Sequence, residues 1–166
     1  MREVLRNSLE EIKRVDHLIY VSLKYTRTVD VIKSVMQRML DSMDFLIQAN
    51  LMACKSCDDA DFPKMPTERV RLLKTLHPQN EQLHKYLDFY TKIRKILRAK
   101  YTASQEFRRH VTMSVVFDNP DENLDVNIDV INEYYLLLKE FFDYTYEVID
   151  NAEKNEKATA DKKKKK

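Results

Sequence analysis

No glycine occurs in the 166 residues of this chain, where average usage would supply roughly eleven. Glycine enters left-handed and strained backbone at no steric cost, so tight turns, phosphate-gripping loops and nucleophile elbows depend on it. A chain without it carries no Walker loop, no dinucleotide fingerprint and no G-x-S-x-G turn. The absence predicts long helices joined by loops of Pro, Asn, Asp and Ser. It excludes the enzyme classes built on those motifs.

Hydrophobic residues make up 43% and charged residues 34%, a balance that supports one globular domain with a real core. The net charge is +2, but its sign comes from the C-terminal end. Residues 152–166 hold seven Lys and three acids. Removing them from 29 basic and 27 acidic residues leaves 22 against 24, so residues 1–151 carry −2. A nucleic-acid role therefore needs a local patch rather than a global field. No apolar run reaches the ~20 residues of a membrane helix, and Met1-Arg2-Glu3-Val4 starts no signal-peptide apolar stretch. The expectation is a cytoplasmic protein without membrane insertion. The two cysteines, Cys54 and Cys57, agree with a reducing compartment.

Four long segments carry helical periodicity. Leu5, Leu9, Ile12, Ile19 and Leu23 form one stripe over 2–25, interrupted by Asp16. Thr28 is placed to cap a second helix over 29–53, striped by Ile32, Val35, Met39, Met43 and Leu46. A loop over 54–66 leads to a short helix over 67–76 with Thr67 as its cap. Pro78 restarts the chain, and Leu83, Leu87, Tyr90, Ile93 and Leu97 face inward along a third long helix ending near Tyr101. The fourth runs from about Asp129 to Ile149. Tyr134, Phe141 and Tyr144 lie outside its stripe, which marks them as a partner or dimer surface.

Residues 107–117 alternate apolar and polar, 118–123 are turn chemistry, and 124–128 alternate again. This pattern predicts a small β-hairpin before the last helix, with continued helix over 106–116 as the alternative. The fold expected is mainly all-α: an up-and-down four-helix bundle over residues 1–150, followed by a disordered lysine-rich tail over 151–166.

Candidate chemistry is sparse. Cys54-Lys55-Ser56-Cys57 has metal-knuckle spacing, but no second C-x-x-C completes a zinc site. Glu81-Gln82-Leu83-His84 is a single E-x-x-H, where a di-iron bundle needs two copies and two further Glu residues. No metal and no cofactor is therefore expected. Lys92, Arg94, Lys95, Arg98 and Lys100 make the second half of the third helix basic, with Arg108 and Arg109 close behind and Tyr86 and Tyr101 available for stacking on bases. Glu106, Arg108 and His110 combine an acid, a cation and an imidazole. On a strand Arg108 and His110 would share a face, with His110 as general base and Arg108 stabilising a phosphate. Asp16 in an apolar stripe needs a partner, for which Arg94 and Arg98 are the basic candidates.

Long paired helices, a loop, and a helix that ends in Tyr101 after a basic stretch, with Arg94 to His110 around it, resemble the HEPN superfamily in outline over residues 1–150. The resemblance implies RNA association and dimerisation. Many HEPN proteins cleave RNA through a metal-independent R-x(4–6)-H motif shared across a dimer interface, and others act as binding or partner modules. Arg71 to His77 has that spacing but precedes the third long helix, and Arg108-Arg109-His110 is too tight. The function expected is a non-catalytic helical binding module associated with RNA or a ribonucleoprotein, as a homodimer or with a protein partner. The alternatives are a HEPN-type ribonuclease or toxin-like protein, and a purely structural adaptor bundle.

Overall fold

Helix α1 (Arg2–His17) opens the computed structural model, which describes residues 1–54 and 62–164, with side chains to residue 155. It continues through a π-helical stretch, Leu18–Ser22, and a closing turn, Leu23–Tyr25. Four further helices follow: α2 (Val29–Ala53), α3 (Pro66–Leu76), α4 (Glu81–Arg98) and α5 (Ile128–Lys164). Three short strands lie between α4 and α5: β1 (Lys100–Ser104), β2 (Thr112–Val116) and β3 (Leu124–Val126). The chain is mainly helical.

Short polar side chains start three of the helices. The Thr28 hydroxyl accepts from the Val31 amide at 3.4 Å. Asn80 Oδ1 accepts from Leu83 N at 3.0 Å and Asn127 Oδ1 from Val130 N at 3.0 Å, each satisfying an amide the helix leaves without a partner. Thr67 does not cap α3. That helix starts one residue earlier, at Pro66, after an extended Met65, because proline at the first position has no amide to satisfy.

Helix α2 occupies the centre and packs against α1, α3, α4, α5 and β2. Its apolar side chains are buried on more than one face: Val35, Met36, Met39, Met43 and Leu46 are all fully enclosed. The unbranched methionines suit a helix that must fit several neighbours at once.

Buried polar contacts fix how the neighbours sit. Ser8 and Ser42, both fully buried, bring α1 and α2 together with their hydroxyls 2.8 Å apart. Asn50 Nδ2 donates to Thr145 Oγ1 at 2.8 Å, and Thr145 in turn donates to Phe141 O at 2.9 Å, joining α2 to α5. Glu11 is the buried carboxylate of α1. It binds Arg14 at 2.6 Å and Arg38 of α2 at 3.3 Å. Asp16 was the acid expected to need a cation from the third long helix. Instead it is exposed and accepts from Tyr135 Oη of α5 at 2.8 Å. The partner is a phenol because α1 meets α5, not α4, at that height.

The sheet is antiparallel, in the order β1-β2-β3. Met113 pairs with both Ala103 and Val126, and Val115 with both Tyr101 and Leu124. Met113 and Val115 point into the core with Val111, while Thr112 and Ser114 are half-exposed. The sequence alternation was read as a two-stranded hairpin with its first strand from residue 107. Residues 105–111 instead form a turn, and the first strand is Lys100–Ser104, of which periodicity assigned Lys100 and Tyr101 to the end of a helix. A third strand gives β2 pairing on both sides, which a lone hairpin lacks.

Two further expectations change. Tyr134 and Phe141 are 7% and 0% exposed, so they are core residues and present no partner surface. Phe141 stacks on Tyr86, with ring centroids 4.9 Å apart, and Tyr134 meets Phe89 edge-on at 5.4 Å. Tyr144 is half-buried and accepts from Asn80 Nδ2 at 2.8 Å. The aromatic surplus of α5 is used against α4. The chain also does not leave the helix at residue 151: α5 runs on to Lys164, and Arg2 binds both Asp150 at 3.1 Å and Glu153 at 2.8 Å.

Thr145→Val keeps the shape of the α2–α5 contact but leaves an Asn50 amide hydrogen without its acceptor. The expected cost is about 1–3 kcal/mol in urea unfolding. Adding Asn50→Leu should recover part of it. A single Thr145→Val variant as stable as the parent would show that this bond contributes nothing.

Candidate functional site

The basic residues of α4 do not form one continuous patch with those that follow. Arg94, Lys95, Arg98 and Lys100 border a cavity of about 780 Å³ between α4, the start of α3 and the end of β2. Tyr90, Arg94 and Arg98 stand four residues apart, so they rise along one face of α4. Thr67 and Val70 of α3 and Val116, Phe117 and Asp118 complete the wall. Lys92 stands apart. Its ammonium lies 5.1 Å from the centre of the Tyr134 ring, towards α5.

Each cation has a distinct environment. Arg94 donates to Tyr90 Oη at 3.1 Å, and Tyr90 donates to Asp44 Oδ1 of α2 at 2.6 Å. Burial, reinforced by the Asp44 hydrogen bond, raises the Tyr90 pKa well above that of an ordinary phenol. It is a fixed donor to Asp44 and a fixed acceptor from Arg94. Burial also raises the Asp44 carboxyl, against the opposing pull of Tyr90 and Arg94. Lys95 pairs with Glu122 and sits 4.7 Å over the Phe117 ring. Arg98 and Lys100 are exposed, and neither side chain has a hydrogen bond or ion pair among the described residues.

The wall therefore offers two uncommitted cations, a third held rigid by a phenol, a fourth shared with a carboxylate, and one aromatic face. Such a lining holds anionic oxygens by charge-assisted hydrogen bonds, with room for a flat group against Phe117. Tyr86, expected as a stacking platform, is 2% exposed and belongs to the core. Tyr101 is 38% exposed and engaged by Lys33, whose ammonium is 4.5 Å from the ring centre.

The Glu106–His110 cluster is dispersed by its turn. Glu106 Oε1 accepts from Val29 N at 3.2 Å, so it serves the start of α2. Arg108, Arg109 and His110 are exposed. Arg109 and His110 line a second cavity of about 580 Å³, and Arg108 does not. Arg108 and His110 share no strand face, because the segment is not a strand. The two residues with HEPN-like spacing are also separated in role. Arg71 is exposed on α3, while the half-buried His77 ring nitrogen lies 3.8 Å from Cys54 Sγ. His84, of the single E-x-x-H, has its ring nitrogen 2.9 Å from His77 O. No group of three His, Cys, Asp or Glu side chains is arranged to hold a metal ion among the described residues. The C-x-x-C extends from Cys54 to Cys57, outside them. No helix among the described residues is long and apolar enough to cross a membrane.

Sequence reasoning named the cations but missed Asp44, Tyr90 and Phe117. Asp44 carried a readable signal: it is an acid set between Met43 and the apolar run Phe45-Leu46-Ile47. Phe117 carried none, since its position over Lys95 depends on where β2 ends.

The chain matches no family model, and no curated protein or solved structure matches it.

A carboxyl whose pKa is raised by folding binds its proton more tightly in the folded chain, so stability falls as pH rises from its ordinary value through the raised one. Asp44→Asn keeps an acceptor for Tyr90 and removes that loss. The stability of this variant relative to the parent should rise as pH increases above the ordinary aspartate range, about pH 4, in thermal or urea melts. A difference that stays flat with pH would contradict the burial of this carboxyl.

Proposed function

We propose that this chain is a non-catalytic binding module for single-stranded RNA, free or within a ribonucleoprotein, with the α4–β1 cavity as its gripping surface. The observation that carries this reading is the convergence of Arg94, Lys95, Arg98 and Lys100 on one cavity whose wall includes the Phe117 ring. Backbone phosphates are held by such cations without regard to sequence, and a base stacks on an aromatic face whatever its identity. The lysines at 162–166 add non-specific attraction that salt weakens. The helical fold serves as scaffold: Tyr90 and Arg94 stand one turn apart on α4, and the end of β2 lines the same cavity. The reading needs no second copy of the chain.

Fluorescence anisotropy with a labelled RNA of about ten nucleotides, within the usual span of single-strand binding sites, tests the reading. Binding should weaken with salt, with a slope near −0.7 per phosphate contact. The Arg98→Ala/Lys100→Ala variant should bind at least about tenfold more weakly, a loss of ~1.4 kcal/mol, and with a shallower slope. Lys13→Ala, on α1, should bind as the parent does. No binding at low salt, or a double variant indistinguishable from the parent, removes the proposal. Parent-dependent cleavage of the RNA that is lost in His77→Ala would favour the ribonuclease alternative instead.

A further inference from the structure

The second cavity, of about 580 Å³, lies at the other end of the turn-rich region. Its walls come from the π-helical end of α1, the 26–28 connection, the 105–111 turn and the start of α5. Lys24, Arg27, Arg109 and His110 all line it, against one acid, Asp129. None of these five side chains makes a hydrogen bond or ion pair with another among the described residues; Lys24 only lies 5.9 Å from the Tyr25 ring centre. Basic groups gathered at a hollow without acidic partners repel one another, and that arrangement is stabilised by an anion between them.

The turn that delivers Arg109 is tied down. Phe107 N donates to Arg27 O at 2.6 Å, and Glu106 reaches the Val29 amide. Gln105 and Phe107 hold φ values of 52° and 63°, left-handed backbone that costs a non-glycine residue roughly 1–2 kcal/mol. Phe107 is 76% exposed, so apolar burial of its ring does not repay that cost. One hydrogen bond thus joins the backbone of Arg27 to Phe107, two residues before Arg109.

We infer that this cavity binds the 5′-phosphomonoester of a nucleoside, either a free nucleoside monophosphate or the 5′-phosphorylated end of an RNA. Lys24, Arg27 and Arg109 less Asp129 leave a formal charge of +2, which matches a monoester of about −1.5 to −2 at neutral pH better than a diester. Ile19 and Leu23 supply an apolar floor, and Tyr20, 60% exposed, presents a ring at the wall. The volume falls within the range of small-molecule sites, about 300–1,000 Å³. This assignment is independent of RNA binding at the α4–β1 cavity.

Calorimetric titration with adenosine 5′-monophosphate, adenosine and inorganic phosphate reads both halves of the ligand. The monophosphate should bind, with adenosine and phosphate each at least about tenfold weaker. Arg109→Ala should weaken the monophosphate by about tenfold or more. Tyr20→Ala should weaken it too, while Tyr20→Phe keeps the ring and the affinity. Arg98→Ala, in the other cavity, should leave it unchanged. Arg109 and Tyr20 are exposed, and matching circular dichroism melts establish that the variants fold. A paired anisotropy experiment compares 5′-phosphorylated with 5′-hydroxyl RNA in the Arg98→Ala/Lys100→Ala background. A preference for the phosphorylated strand that Arg109→Ala abolishes assigns the site to an RNA end. Binding of the free nucleotide alone assigns it to a metabolite. The inference fails if neither binds, or if Arg109→Ala binds both as the parent does.

Discussion

Helix α2 is buried over most of its girth, with solvent reaching mainly a polar strip of Asp30, Ser34, Gln37 and Arg38 in its first half, and this organises the molecule. A helix apolar over much of its girth must be covered on every such face. Here α1, α5, α3, α4 and β2 supply the cover. Hydrophobic burial is not directional, so it does not by itself choose the height or rotation at which each neighbour docks. The buried hydroxyls of Ser8 and Ser42 and the Asn50–Thr145 pair make that choice. A slip of either neighbour would leave those polar groups unpartnered in a dry interior. The Glu11 carboxylate, held between Arg14 and Arg38, adds a third fixed point.

The lack of glycine has a local consequence at the 105–111 turn. Left-handed backbone is needed there and has to be taken by Gln105 and Phe107. The turn is held by contacts with its surroundings rather than by residues that favour it: Glu106 serves α2, and Phe107 binds the backbone of Arg27. One result is that the basic residues of the chain separate into two groups. Arg94, Lys95, Arg98 and Lys100 border one hollow, and Lys24, Arg27, Arg109 and His110 border another. The first has an aromatic partner already in contact with a cation. The second has cations that face only one acid.

The stripes of α1, α2 and α4 and the Thr28 cap show where local chemistry is decisive, while the Asn80 and Asn127 caps were not read from the sequence. The readings that failed share one cause. Tyr134 and Phe141 look surplus on a helical wheel, yet they are interior because α4 lies across that side of α5. Asp16 was matched to arginines of α4, but α5 passes closer and offers Tyr135. Lys100 and Tyr101 read as a helix end, and they open a strand because β2 is there to pair with them. The cations of the candidate site were readable as residues, but not as two sites, since their division depends on the path of a turn.

The linear order of residues was enough to determine a mainly helical chain, the Thr28 start of α2 and the supply of exposed cations, but not the start at Pro66 where Thr67 was expected as cap, nor the start of α4 at Glu81 rather than at Pro78. Periodicity, caps and charge act over one or two turns of backbone, and such ranges are written directly in sequence. Only the tertiary structure decided which apolar faces are covered, which acids are paired and which cations share a hollow. Those outcomes depend on contacts between residues tens of positions apart, as between Asp44 and Tyr90 or Arg27 and Phe107, and no local pattern encodes the distance between them.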